Sequence, residues 1–106
     1  MQIFPTELAA LLKTSPPPHL LDVREPEEHE FVALPGSTLI PLGQLFTHAA
    51  EIAAWKDEEI VVYCHHGIRS LHAIRQLQEL GFTKLSNLSG GIDGWAREVE
   101  PAMRRY

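Results

Sequence analysis

The chain has 106 residues, 44% hydrophobic and 22% charged, which fits one globular domain over residues 1–106 and excludes collagen-like, coiled-coil and disordered classes. Its net charge of −5, from 9 basic and 14 acidic residues, disfavours a nucleic-acid partner, because phosphate contacts need a basic face. No apolar run approaches the roughly 18 residues of a membrane span and no signal peptide is evident, so we expect a cytoplasmic protein without a membrane partner.

Short apolar runs alternate with helical patterns along the chain. The runs predict five strands, over residues 2–4, 20–23, 38–40, 60–63 and 84–88, and the helical patterns cover residues 7–13, 26–31, 44–55, 70–80 and 92–98. The run over residues 60–63 is continuously apolar, as in a central strand buried on both faces. Gly81 and Phe82 follow the fourth helix with the residue types of a Schellman cap. This alternation predicts an α/β fold, a three-layer α/β/α sandwich around a mostly parallel sheet of about five strands.

The only cysteine, Cys64, directly follows the most apolar strand. Ligands of open parallel sheets bind at the carboxyl ends of the strands, so the loop from Cys64 to Ser70 is the candidate site. One cysteine cannot form an internal disulfide and supplies at most one zinc ligand, so Cys64 is expected to act as a single thiol. The alternative is that Cys64 is a small buried hydrophobic residue that ends a strand.

The residues after Cys64 favour an anion-binding loop. Gly67 permits a tight turn, the start of the next helix offers free amides, and Arg69 offers a charged fork. Positive surroundings of this kind favour the thiolate form of a cysteine, which is the nucleophile. Four residues separate Cys64 from Arg69, one fewer than in the Cys-x5-Arg phosphate cradle of cysteine-dependent phosphatases. The smaller ring of amides fits one sulfur atom bonded to Cys64 better than a phosphate, which favours sulfur transfer over phosphoryl transfer.

Three stretches, in this order, resemble a single-domain rhodanese, a sulfurtransferase of the thiosulfate type. The first is LDVREPEE at residues 21–28, followed by Pro-Gly at 35–36 and Ile-Pro-Leu at 40–42. The second is the loop over residues 64–70, and the third comprises residues 80–82, 88–92 and Trp95. The resemblance covers residues 20–95. Two departures are Val-Ala at 32–33, where members often have Gly-His, and a loop without lysine.

The resemblance implies a rhodanese-like fold and a ping-pong reaction without a metal or another cofactor. Cys64 would take a sulfur from a small anionic donor such as thiosulfate, and the persulfide would pass it to cyanide, a thiol or an acceptor protein. The substrate would meet the rest of the loop, namely His65, His66, Gly67, Ile68, Arg69 and Ser70.

Two residues outside the loop are expected to support the site. Asp22 either orients Arg69 or the loop amides, or it closes a structural turn with Arg24. Arg24 either adds positive potential at the mouth of the site or pairs with Glu27 or Glu28.

Two other functions stay open at this point. One is a binding or relay module that exchanges sulfur with partner proteins and acts weakly on thiosulfate. The other is a phosphatase or an arsenate reductase, against which the short loop argues. The oligomeric state cannot be read from the sequence.

Overall fold

The computed structural model describes residues 1–106 and contains one sheet of five parallel strands. The strands are β1 (Gln2–Ile3), β2 (His19–Asp22), β3 (Thr38–Leu39), β4 (Ile60–Tyr63) and β5 (Leu85–Leu88). Their order across the sheet is β1-β5-β4-β2-β3, which places β4 at the centre. The predicted parallel sheet of five strands is therefore confirmed.

Helices cover both faces of the sheet. They are α1 (Pro5–Leu11), α2 (Pro26–Phe31), α3 (Leu45–His48), α4 (Ile68–Glu79) and α5 (Gly91–Glu98). One core cluster joins the sheet to α3 and α4, and a second joins it to α1 and α5. This is the three-layer α/β/α arrangement that the sequence predicts. No helix has both the length and the apolar content that crossing a bilayer requires.

Strand β4 is buried on both faces, as its apolar run predicts. Ile60 and Val62 belong to the cluster beneath α4, whereas Val61 and Tyr63 belong to the cluster beneath α5. Burial of each aliphatic side chain contributes about 1.5–3 kcal/mol relative to exposure. The strand that carries Cys64 at its end is therefore held by the core on both faces of the sheet.

The segment over residues 44–55 is not the single helix that its pattern predicts. It consists of a 3-10 turn at Leu42–Gln44, the short α3 and a second 3-10 segment at Ala49–Trp55. Ile52 leaves the helical region with φ −116° and ψ 18°. These breaks change the direction of the chain while Leu45, Ala49 and Ile52 stay buried, so packing on the core overrides the helical pattern.

The end of α4 matches its prediction. Gly81 has φ +96°, the left-handed conformation that glycine adopts without a steric penalty. Its amide donates to Gln78, and the Phe82 amide donates to Leu77 over 3.0 Å, which are the two hydrogen bonds of a Schellman motif. Phe82 is buried in the cluster beneath α4, so the cap fixes the chain that leads into β5.

Candidate active site

Cys64 lies directly after β4, at the carboxyl edge of the central strand, and is 1% exposed. Its Sγ accepts a hydrogen bond from the Gly67 amide over 3.1 Å and lies 3.4 Å from Ser70 Oγ. The burial fits the alternative that Cys64 is only a core residue. The two polar contacts exceed what an inert core thiol needs, and they fix the position of the sulfur in the loop.

The loop ends earlier than the sequence predicts. Gly67 takes φ +108° as the N-cap, so α4 begins at Ile68 rather than at Ser70. Arg69 therefore lies in the first turn of α4, and Ile68 is 66% exposed. Around Cys64, backbone amides that donate to no group of the protein include those of His65, His66, Ile68 and Arg69. Free amides at a helix start form a site for negative charge.

The start of α5 holds the other side of the loop. The Ile92 amide donates to the Cys64 carbonyl over 2.9 Å, and the Asp93 amide donates to the His65 carbonyl over 3.1 Å. In a planar trans peptide the carbonyl and the next amide point in opposite directions, so the amides of His65 and His66 point away from α5. Gly91, with φ +62°, makes this approach possible, since a Cβ there would lie 2.3 Å from the His65 oxygen.

Arg69 does not hold a free charged fork in the loop, which corrects the expectation from the sequence. Its two terminal nitrogens donate to the two carboxylate oxygens of Glu28, over 2.7 and 2.9 Å. The pair forms because α2 brings Glu28 against the start of α4. The hydrogen bond from Arg69 lowers the pKa of Glu28 to about 2, so the carboxylate stays charged. A donor anion must compete with Glu28 for this guanidinium.

Asp22 and Arg24 form a fully buried ion pair behind the loop. Arg24 Nε and Nη2 donate to the Asp22 carboxylate over 2.9 and 2.7 Å, and Nη2 also donates to the Val32 carbonyl. Asp22 therefore closes a structural turn and does not orient Arg69. Arg24 neither faces the mouth of the site nor pairs with Glu27 or Glu28. Breaking such a buried pair costs about 3–5 kcal/mol, so its role is to stabilise the chain beside the loop.

The two loop histidines have different surroundings. His65 stacks on Tyr106, with ring centroids 3.9 Å apart and planes at 5°, and its Nε2 has no hydrogen-bond partner. Burial and the neighbouring His66 lower the pKa of His65, so its ring tends to be neutral. The His66 side chain is 62% exposed. The Tyr106 hydroxyl donates to Glu28 over 2.6 Å, a contact that nothing in the sequence indicates.

The residues His65, His66 and Asp93 carry ligand atoms within 4.8 Å of one another, a spacing that a divalent metal ion could exploit. Arg105 already holds the Asp93 carboxylate over 2.9 Å, and Arg97 lies 3.6 Å from it. A cation would have to displace these arginines. The surroundings of this cluster are therefore better suited to a surface ion-pair network than to a metal centre.

Sequence reasoning missed Asn87 of β5, which is 2% exposed. Its side chain contacts Ser70, the Gly67 carbonyl and Gln2. The sequence did contain one signal, which is an amide side chain inside a short strand whose two ends are apolar. A buried polar side chain needs partners, and here the partners belong to the loop.

A surface cavity of about 490 Å³ lies at the opposite, amino-terminal edge of the sheet. Its walls include Pro18, His19, Glu58 and Lys84, which precede or begin β2, β4 and β5. It contains no nucleophile of the kind that Cys64 offers. The candidate chemistry therefore lies at the carboxyl edge with Cys64 and not at this cavity.

Comparisons with known proteins agree with this geometry. A family model for the rhodanese-like domain matches residues 4–98. The probable adenylyltransferase/sulfurtransferase MoeZ of Mycobacterium tuberculosis is 34% identical over 104 residues, which cover 98% of this chain and 26% of that protein. The chain thus spans about a quarter of this relative's length.

Shorter relatives match over most of their own length. A protein named sulfurtransferase from Allochromatium vinosum is 35% identical over 82 residues, covering 77% of this chain and 75% of that one. The structure of the human single-domain sulfurtransferase TSTD1 superposes with a TM-score of 0.80 at 29% identity, covering 92% of this chain and 96% of the human chain. These matches confirm the resemblance drawn from the sequence, and the chain belongs to the rhodanese-like domain family.

Proposed function

We propose that this protein transfers a sulfane sulfur through a persulfide on Cys64. The observation that carries the proposal is a single thiol at the end of β4, with one loop amide on its Sγ and further free amides around it. In the first step the Cys64 thiolate attacks the outer sulfur of the donor. A new bond joins Sγ to that sulfur, the donor's own sulfur–sulfur bond breaks, and its electron pair leaves with the rest of the donor, as sulfite when the donor is thiosulfate.

In the second step an acceptor attacks the outer sulfur of the persulfide. The electron pair of the breaking sulfur–sulfur bond returns to Sγ, which restores the thiolate, and cyanide becomes thiocyanate. The chain has no second cysteine, so the acceptor is external. The persulfide carries negative charge on its outer sulfur, and amides at the start of α4 are suited to bind it.

Thiosulfate or a similar anion is the donor that we propose first. Such a donor has to draw Arg69 away from Glu28, because both terminal nitrogens of the guanidinium are bound to that carboxylate. The exchange of one anion for another keeps the charge of Arg69 compensated. The competition also raises the donor concentration that the first step requires, since Glu28 competes for Arg69 within the same molecule.

A second candidate is a relay module that receives sulfur from a protein donor. The Arg69–Glu28 pair favours the relay module, because Glu28 cancels the positive charge that would attract a free dianion such as thiosulfate. A protein donor would deliver its sulfur without relying on this charge. The two candidates differ in their saturation with thiosulfate, which a thiosulfate enzyme should show in the low millimolar range, roughly the upper end of ordinary KM values.

The experiment combines intact mass with turnover. The protein is incubated with thiosulfate and other sulfane donors, and its mass and the thiocyanate released with cyanide are measured. The wild type should gain one sulfur and turn over, and Cys64→Ser should do neither. Turnover by Cys64→Ser at the wild-type rate would remove Cys64 from the mechanism.

Two substitutions on α4 test the role of Arg69 in binding the sulfur donor. Arg69→Ala should weaken thiosulfate use, while other donors still form the persulfide. His72→Ala, at an exposed position of the same helix, is the matched control and should behave as the wild type. Equal thiosulfate saturation in both variants would contradict the role of Arg69.

A further inference from the structure

A buried polar chain lies behind Cys64. Ser70 Oγ lies 3.4 Å from Cys64 Sγ and is hydrogen-bonded to Asn87 Oδ1. Asn87 Nδ2 donates to the Gly67 carbonyl over 3.2 Å. Ser70 and Asn87 are 0% and 2% exposed, so no bulk water competes for these bonds. This series of polar groups therefore begins at the Gly67 carbonyl and ends at the sulfur of Cys64.

The Gly67 carbonyl determines which group donates in each hydrogen bond of this series. The Gly67 carbonyl can only accept, so the amide nitrogen of Asn87 faces it and the amide oxygen faces Ser70. That oxygen can also only accept, so the Ser70 hydroxyl must donate its single proton to Asn87. Ser70 consequently turns lone pairs toward the sulfur of Cys64. It can accept a proton from the thiol, but it cannot donate one to a thiolate.

We propose that Asn87 is a positioning residue that holds the Ser70 proton and thereby makes Ser70 favour the protonated form of Cys64. The Gly67 amide remains the only donor to the sulfur among its described contacts. Removal of the Asn87 oxygen would free the Ser70 hydroxyl to rotate and donate to the thiolate. The catalytic meaning of this arrangement rests on the proposed sulfur transfer, whereas its effect on the thiol does not.

Other charged groups near Cys64 come from several elements. His65 and His66 follow it in the loop, and Arg69 of α4 lies close enough to interact with it electrostatically. Glu28 of α2 binds Arg69, and Asp93 of α5 donates its amide to the His65 carbonyl. None of these side chains contacts Asn87. A substitution at Asn87 should therefore change the proton of Ser70 and leave these charges in place.

The arrangement has a consequence for both half-reactions. When the acceptor attacks the persulfide, Sγ leaves as a thiolate and needs donors. With Ser70 held by Asn87, only the Gly67 amide stabilises that leaving group. A freed Ser70 hydroxyl would add a second donor, so the discharge of the persulfide should become faster.

The test measures the rate of iodoacetamide alkylation of Cys64 against pH. Asn87→Leu, which keeps the branching and the number of side-chain heavy atoms, should move the midpoint of the profile to lower pH by about one unit, because one hydrogen bond to a charged group contributes in that range. Ser70→Ala should also lower the midpoint, by less, since it removes the acceptor of the thiol proton without supplying a donor. Ser86→Ala, on the same strand but directed toward Met1, is the control and should leave the midpoint unchanged.

The sign of the Ser70→Ala result decides the matter even if Asn87→Leu does not fold. If Ser70 donates to the thiolate in the wild type, Ser70→Ala raises the midpoint, and this result would overturn the proposal. A midpoint that does not move in Ser70→Ala, or does not fall in a folded Asn87→Leu, overturns it as well.

A second readout is the rate at which cyanide discharges the persulfide of Asn87→Leu, which we expect to rise several-fold; an unchanged or lower rate contradicts the proposed effect on the leaving group. Wild-type protein that forms no persulfide with any donor refutes the proposed function. The alkylation profiles still test Asn87 in that case.

Discussion

Gly91→Ala is the substitution that should separate the loop from the helix that supports it. The added Cβ would lie 2.3 Å from the His65 oxygen and 2.6 Å from the Cys64 oxygen, whereas real Cβ contacts stay beyond 3.0 Å. All these neighbours are backbone atoms, so no flexible side chain can give way. The start of α5 and the loop must therefore part by at least 0.7 Å, the difference between 3.0 and 2.3 Å.

The expected cost has two parts. A residue other than glycine at φ +62° costs about 1–2 kcal/mol, and loss of the two amide bonds from Ile92 and Asp93 adds about 1 kcal/mol each. Gly91→Ala should thus lower the free energy of unfolding by about 3–4 kcal/mol. Gly36→Ala is the matched control, because Gly36 has φ +78° and nothing within 4 Å. It should cost only about 1–2 kcal/mol.

Urea unfolding, followed by circular dichroism, measures both costs, and a domain of ordinary stability stays folded in each variant. Persulfide formation should fall on the order of 10- to 100-fold in Gly91→Ala, because the loop amides move by more than half an ångström. Gly36→Ala should react as the wild type does. Equal destabilisation by the two substitutions would refute the close approach of α5 as a support of the loop.

Three further predictions concern Glu28, Tyr63 and Tyr106. Glu28→Gln should lower the KM for thiosulfate several-fold, because glutamine holds Arg69 less tightly than the carboxylate does. Because the pKa of Glu28 is lowered to about 2, the wild type should lose unfolding free energy as pH falls from 4.5 toward 2, and Glu28→Gln should not show this loss. Burial raises the pKa of Tyr63 from 10.0 to about 12, so stability should fall as pH rises from 10 to 12, and this loss should vanish in Tyr63→Phe. Tyr106→Ala uncovers the His65 ring, so discharge by a bulky thiol should speed up relative to cyanide; an unchanged ratio would contradict this.

Local patterns predicted the parts of the fold that local physics controls. The apolar run of β4 and the cap at Gly81 depend on a few neighbouring residues, and both are confirmed. The prediction of one helix over residues 44–55 was wrong, because the direction of this segment depends on where the core lies. No local pattern contains that information. A pattern of buried positions at helical spacing suits a kinked chain as well as a straight helix.

The sequence names candidate residues for the site but does not predict their pairings. The position of Cys64 follows from the end of β4, yet Arg69 binds Glu28 across 41 residues of sequence. Arginines can reach many carboxylates, and the sequence offers several acidic residues on α2. Asn87 and Tyr106 escaped prediction for the same reason, since their partners come from other elements.

The order of the strands explains why these unpredicted contacts converge on one loop. β4 lies between β5 and β2, and all three strands end at the same edge because they are parallel. The chain that leaves β5 brings Gly91 and the start of α5 against one side of the loop, and the chain that leaves β2 brings Glu28 against the other. A loop with only four residues between cysteine and arginine therefore takes its shape from both neighbours. A change in the length of either flanking connection should disturb Cys64 even though the loop itself is unaltered.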